Sequence, residues 1–115
     1  MQFTLIVRTN HLDNTHSALE FAKAVLEQQH NLNFIYFMLD GAYTANKNID
    51  MPTDEPDLSQ AWRQFAITHN VEICVCTASA LRRGINQTNL ATGFKLGSIG
   101  QLVAACDVAD RVVSL

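Results

Sequence analysis

Several absences narrow the field before any motif is read. Only five glycines occur in 115 residues, and Gly93, Gly97 and Gly100 fall too late for a phosphate loop. Neither G-x-G-x-x-G nor a Walker motif is present, so nothing cradles a nucleotide in a recognisable way. No G-x-S-x-G elbow exists, which removes support for serine hydrolase chemistry. Basic residues are few: eight Lys and Arg stand against eleven Asp and Glu, a net charge of −3. Neutralising phosphates takes clustered cations, and Arg82-Arg83 is the nearest approach, so direct nucleic-acid binding is not expected. No apolar run nears the roughly 18 residues that span a membrane. The run Phe3–Val7 stops at Arg8, too short for a signal h-region, so the expected compartment is the cytoplasm. Cysteine numbers three, an odd count without framework spacing; the expectation is free thiols in a reducing compartment rather than disulfides.

What remains is an ordinary globular composition, 48% hydrophobic and 8% aromatic, expected to fold as a single domain over residues 1–115. Phe3–Val7 reads as a strand covered on both faces. Ala18, Phe21, Ala22, Val25 and Leu26 form one helical stripe, with Asp13, Asn14 or Thr15 able to cap it. Leu32–Leu39 is a second strand run. Residues 40–55 read as a long polar loop, of the kind that in compact domains carries function. Pro56 suits a first helical position, and Leu58, Ala61, Trp62, Phe65 and Ala66 repeat the stripe. Val71–Cys76 reads as a third strand, Ala78–Arg83 as a short helix stopped by Gly84, and Ile85–Thr92 as loop. Leu96, Ile99, Leu102, Val103 and Cys106 give a last buried helical stripe before a final strand, Arg111–Leu115.

The order β-α-β-α-β-α-α-β predicts a three-layer α/β/α fold of flavodoxin-like layering, with a mostly parallel sheet of four to five strands. Active sites in such sheets lie outside the carboxyl ends of the strands. The segments after Val7, Leu39 and Cys76 are thereby expected to share one edge.

Cys76 ends the third strand on that edge, and Thr77-Ala78-Ser79-Ala80-Leu81-Arg82-Arg83-Gly84 starts a helix at once. A thiol beside a helix N-terminus meets unpaired N–H groups, which favour the thiolate, the nucleophilic form. Thr77, Ala78 and Arg82 are candidate supporting residues, with the Ser79 hydroxyl an alternative to that of Thr77; spacing alone does not bring these side chains to the sulfur. The opposing reading is a small core cysteine. Strand alternation puts Cys74 on the same face as Cys76. A repeat of about 6–7 Å between them opposes an unstrained disulfide, and no further ligands lie near in sequence to complete a metal site. Cys74 and Cys106 read as core. His30 and His69 end helices and need no function, while His11 and His16 flank the first loop on the functional edge.

Residues Ile73–Gly84, with a cysteine five residues before Leu81-Arg82-Arg83-Gly84, closely resemble the active-site segment of the DsrE/TusD family of sulfurtransferase subunits. Similar too are Asp40–Asn46, Asp54–Leu58 leading to Ala61-Trp62, Phe94–Gly100, and Cys106-Asp107 through Val113. The segment between Gly84 and Gly93 is shorter than in TusD-like chains, and the loop after the first strand differs. The resemblance implies a persulfide on Cys76, Cys74 being outside the pattern. It implies a cytoplasmic sulfur relay for 2-thiouridine at the tRNA wobble position, with no cofactor and no metal. TusB-like and TusC-like subunits would complete a hetero-oligomer, with a donor of TusA type and an acceptor of TusE type. The alternatives are a non-catalytic structural subunit of such a complex, or a DsrE-type protein of sulfur oxidation. A flavodoxin-like flavin or nucleotide binder is suggested by layer order alone.

Overall fold

The computed structural model of the chain describes residues 1–10, 12–48 and 57–115, residues 12–15 by their backbone. Five strands form one sheet: β1 (Gln2–Val7), β2 (Asn31–Phe37), β3 (Ile73–Cys76), β4 (Phe94–Gly97) and β5 (Arg111–Ser114). Their spatial order is β4-β3-β2-β1-β5, and every neighbouring pair is parallel. The helices are α1 (Leu12–Glu27), α2 (Leu58–His69), α3 (Thr77–Arg82) and α4 (Ile99–Val108), and a 3-10 helix occupies Leu39–Ala45. The expected three-layer α/β architecture is the observed one.

Chain direction sorts the layers. From β1 the strands are added stepwise through β2 and β3 to β4, and then α4 carries the chain back across the sheet to β5. Right-handed crossovers place helices on opposite faces when the direction of travel reverses. Accordingly α1 and α2 cover one face, where Ala18, Leu19, Ala22, Val25, Trp62, Phe65 and Ala66 are buried against Leu5, Val7, Ile35, Phe37, Ile73 and Val75. Phe37 sits at the centre of this side, its ring 5.2 Å from Trp62 at 90° and 5.3 Å from Phe94. The other face is thinner: Phe34, Tyr36, Cys74 and Cys76 pack with Leu102 of α4. Polar bonds pin α4 there. The Thr4 hydroxyl donates to Asn33 Oδ1 at 2.6 Å, and Asn33 Nδ2 donates to the Ala105 carbonyl at 3.1 Å.

Several expectations change. Residues 94–97 form a strand, where a helical stripe beginning at Leu96 was expected. Phe94 is buried and Lys95 exposed, a period-2 signal too short to stand out beside the helix that follows. In α4 the stripe is buried only at Leu102: Ile99 is 49% and Val103 53% exposed, and Cys106 is half-buried. The helix is instead fixed by a capping box, in which Ser98 and Gln101 exchange side-chain-to-backbone bonds. Finally, Leu39–Ala45 is a 3-10 helix inside what reads as loop. Helix α1 starts at Leu12, so Asp13, Asn14 and Thr15 fall inside its first turn. Pro56 lies outside the described residues; the cap of α2 is Asp57, whose carboxylate accepts from Gln60 N–H at 3.1 Å.

The 3-10 helix is held onto the carboxyl edge of the sheet by a close backbone approach. Met38 N–H donates to the Val7 carbonyl at 2.9 Å. A Cβ on Gly41 would strike the Val7 carbonyl oxygen and come within 2.9 Å of its carbon. Only glycine lets this helix lie directly over the end of β1. Gly41→Ala is therefore expected to destabilise the protein by about 1–3 kcal/mol, the usual cost of forcing extra atoms into a packed site. The readout is a lower midpoint in urea unfolding, and an unchanged midpoint would contradict the close approach.

Candidate active site at the β3–α3 junction

Strand β3 reads Ile73-Cys74-Val75-Cys76, buried at all four positions because both sheet faces are covered there. Ile73 and Val75 point to the α1–α2 side, and Cys74 and Cys76 to the α4 side, as alternation requires. At Cys76 the chain turns directly into α3, and Cys76 is that helix's N-cap. The position normally taken by a Ser, Thr or Asp oxygen holds sulfur: Ser79 N–H donates to Sγ at 3.5 Å. Next to it β4 ends at Gly97, paired in register with Cys76. From β3 the chain passes to α3 on one side of the sheet, and from β4 to α4 on the other. Cys76 thus stands where neighbouring strands part, the place in open α/β sheets where a crevice forms.

That crevice is an open depression of about 340 Å³ lined by Cys76, Thr77, Ala78, Leu81, Gly97, Ser98 and Ile99. Its walls are apolar, and Leu81 and Ile99 are 58% and 49% exposed on them. The thiol lies at its base, with Cys76 only 4% exposed.

Burial is the largest influence on Cys76 and pushes the thiol up, yet the net shift is downward. The opposing influences are, in order, the Ser79 hydroxyl, the Tyr36 hydroxyl and the backbone N–H groups of Ser79 and Ala78. Donors aimed at the charged form stabilise it, and together they outweigh the lost water. The Ser79 hydroxyl is free to donate because its oxygen is already occupied as an acceptor: Leu39 N–H binds it at 2.9 Å. Tyr36 reaches the site from β2. Burial and then the bond to Cys76 push its phenol above the ordinary range, so it remains a donor. Its proton has two acceptors within reach, Cys76 and the Gly97 carbonyl at 3.1 Å. Thr77 Oγ1 also donates to that carbonyl at 3.3 Å, so Gly97 stays satisfied when Tyr36 turns to the sulfur.

Cys74, one pleat away, behaves in the opposite way. Burial and then the hydrogen bond to Glu72 push its thiol up to about 12, with Sγ donating to Glu72 Oε1 at 3.4 Å. The fold separates the two cysteines chemically: one is held toward the anion, the other is kept protonated. All three cysteines are free thiols.

Of the supporting residues expected from sequence, Thr77 and Ala78 line the depression. Thr77 spends its hydroxyl on Gly97, and Ala78 offers its backbone N–H to the sulfur. Arg82 is exposed at the far end of α3. Its neighbour Arg83 is the more engaged of the pair, bonded to Asp40 and to the Ser79 carbonyl. His16 is exposed, and His11 lies outside the described residues. Tyr36 went unread in the sequence, although one signal was available: a tyrosine in a buried strand, two residues from Phe34 on the α4 face, needs a hydroxyl partner. Among the described residues no group of three or more His, Cys, Asp or Glu is placed to hold a metal ion, and no helix is long and apolar enough to cross a membrane.

The alkylation rate of Cys76, followed by peptide mass, should rise with pH to a midpoint below the ordinary thiol value of about 8.5, while Cys74 stays unreactive. Ser79→Ala and Tyr36→Phe should each move that midpoint up by roughly one unit, the order expected for one lost donor to a charged group. Because folding lowers this pKa, the donors add stability above the unfolded thiol's pKa. That contribution disappears as pH falls through the folded value. A midpoint at or above 8.5 in the wild type would contradict the donor arrangement.

A profile of the DsrE/DsrF-like family matches residues 1–115. A Cronobacter sakazakii protein named sulfurtransferase TusD is 37% identical, with 98% of each chain covered. Another of that name, from Sodalis glossinidius, is 40% identical over 84% of this chain and 83% of its own. Among solved structures, the E. coli ychN protein superposes with a TM-score of 0.84 at 22% identity over the whole of both chains. A protein of unknown function from Methanobacterium thermoautotrophicum gives 0.79 at 9% identity over 97% of each. These two likenesses speak to the fold, and the family match and the close relatives settle descent: the chain belongs to the DsrE/DsrF-like family.

Proposed function

We propose that the protein is a sulfurtransferase subunit, a single DsrE-like domain that carries a persulfide on Cys76 and passes sulfur between partner proteins. The observation that supports this most is the pair of cysteines on one strand, of which only Cys76 has donors aimed at its sulfur and an open depression above it. The name sulfurtransferase TusD on a relative matched over 98% of each chain supports the sulfurtransferase part of this reading.

The chemistry is exchange at sulfur. The Cys76 thiolate attacks the terminal sulfur of a donor persulfide, the donor's S–S bond breaks, and the donor leaves as a thiolate. Cys76 then holds Sγ–SH. An acceptor thiolate attacks that outer sulfur, the new S–S bond forms on the acceptor, and Sγ takes back its electron pair. Leaving-group thiols of lower pKa depart faster, so the donors around Sγ favour discharge as well as loading. A nearby reactive thiol would reduce the persulfide; Cys74, kept protonated, does not compete. The exchange requires neither metal nor cofactor.

The relay we assign is that of tRNA wobble 2-thiouridine synthesis, in the cytoplasm, where free thiols persist. The assembly we assign has TusB-like and TusC-like subunits, a TusA-type donor and a TusE-type acceptor. The exposed apolar residues Leu81 and Ile99 on the depression at the thiol suit a protein partner better than a small solute.

Incubation with a persulfide donor followed by intact mass measurement is the test. The wild type and Cys74→Ser should gain one sulfur atom, and Cys76→Ser none. Sulfur uptake that survives Cys76→Ser, or fails in the wild type, would overturn the assignment.

A further inference from the structure

The donors at Cys76 depend on where Ser79 directs its hydroxyl, and Ser79 is tied to the 3-10 helix. Leu39 N–H binds Ser79 Oγ at 2.9 Å, and Leu39 adopts φ 51, a left-handed conformation costly for a branched side chain. Leu39 is 46% exposed, so packing of its side chain does not explain the strain. The next residue is Asp40, and Arg83 grips it: Nε and Nη2 donate to Oδ1 at 3.2 and 3.0 Å. The same guanidinium donates from Nη1 to the Ser79 carbonyl at 3.1 Å, and lies 5.7 Å from the Tyr43 ring centroid. One side chain thus bonds both the segment that supplies the Leu39 N–H and the residue that receives it. Its side chain is 18% exposed, far more sheltered than a surface arginine in a solvated pair.

We propose that Arg83, through Asp40, is a positioning residue for Cys76: it locks the 3-10 helix to α3, which keeps the Leu39 N–H on Ser79 Oγ and turns the Ser79 hydroxyl proton onto Sγ. Arg83 does not touch the sulfur. The inference takes the reading of Cys76 as the reactive thiol and adds what holds it in that state. The titratable and charged groups on the elements packed around Cys76 are Tyr36 on β2, Glu72 and Cys74 beside it on or before β3, and Asp40 and Tyr43 on the 3-10 helix. Arg82 and Arg83 belong to α3 and its cap, Lys95 to β4, and Cys106 and Asp107 to α4. The groups acting directly on Cys76 are Ser79, Tyr36 and the Ala78 N–H; Arg83 and Asp40 are not among them.

Two substitutions separate positioning from plain electrostatics because the two predict opposite or unequal shifts. Asp40→Ala removes the acceptor oxygen together with a negative charge, and relief of Coulomb repulsion on the thiolate alone would lower the Cys76 midpoint. Loss of the lock raises it. Arg83→Lys keeps the charge but loses the fork that bonds two acceptors at once. Charge alone predicts no change, and positioning again predicts a rise. The measurement is the pH profile of Cys76 alkylation at peptide level on the intact protein, with thermal unfolding alongside. The expected result is a rise of about half to one pH unit in both variants, at most about a three- to tenfold smaller thiolate fraction at neutral pH. Asp40 is 63% exposed, so Asp40→Ala is expected to fold even where Arg83→Lys does not. A fall or no change in the Asp40→Ala midpoint, with or without a lower melting temperature, overturns the proposal. Sulfur uptake measured on the same samples keeps the questions apart: uptake with unmoved midpoints removes the positioning role alone, and no uptake by the wild type removes the carrier role alone.

Discussion

A sulfur anion on a residue 4% exposed, as Cys76 is, persists only if protein donors replace the water it has lost. The remainder of the site follows from that requirement. Burial opposes the thiolate and is the largest influence on Cys76, so no single contact suffices. The fold meets the need with short-range donors from two elements: the first turn of α3 supplies Ser79 and the Ala78 N–H, and β2 supplies Tyr36. Each donor is held in turn by something else. Leu39 occupies the Ser79 oxygen, Thr77 keeps the Gly97 carbonyl satisfied, and burial keeps Tyr36 protonated.

Cys74 shows how local this control is. It shares a strand, a face and a cluster with Cys76, yet its thiol is driven the other way by burial and the carboxylate of Glu72. Two residues of strand carry the sulfur from the turn at the edge, where N–H groups are unpaired, to the middle of the ladder, where they are consumed by the sheet. A Cβ on Gly97 would lie 3.3 Å from Cys74 Cβ and 3.5 Å from its Sγ, so the inner cysteine is also tightly enclosed. Under the proposed relay this contrast has a use, since a reactive neighbour would discharge a persulfide on Cys76 internally.

Much of the architecture was legible in the chain. The apolar runs of β1, β2 and β3 and the stripes of α1 and α2 are long enough, and buried enough, for their periods to be read. The parallel sheet follows from their alternation. The failures lie where signals are short or mixed. β4 is a four-residue edge strand that runs into a helix, so Leu96 and Ile99 mimic a helical spacing. The stripe of α4 is half solvent-facing because that side of the sheet has one main covering helix, and polar bonds from Asn33 do part of the fastening. The 3-10 helix depends on a backbone contact between Gly41 and Val7, residues 34 positions apart, and no local pattern encodes it.

At the site the division is equally clear. The sequence by itself determined which cysteine ends a strand and opens a helix, because strand and helix periods are local properties and the spacing to Arg82-Arg83-Gly84 is written in the chain. It also determined that Cys74 would share the face, since alternation is a property of the pleat. Only the tertiary structure decided which groups meet the sulfur. Tyr36 lies 40 residues from Cys76 in the chain and Leu39 lies 40 from Ser79, and parallel pairing of β2 with β3 brings both to the same edge. The choice between Arg82 and Arg83 was likewise tertiary. Adjacent residues at a helix end project in different directions, and only Arg83 is aimed where the 3-10 helix puts Asp40. Hydrogen bonds and pKa shifts act over a few ångströms, and distances of that size between remote segments exist only once the sheet has formed.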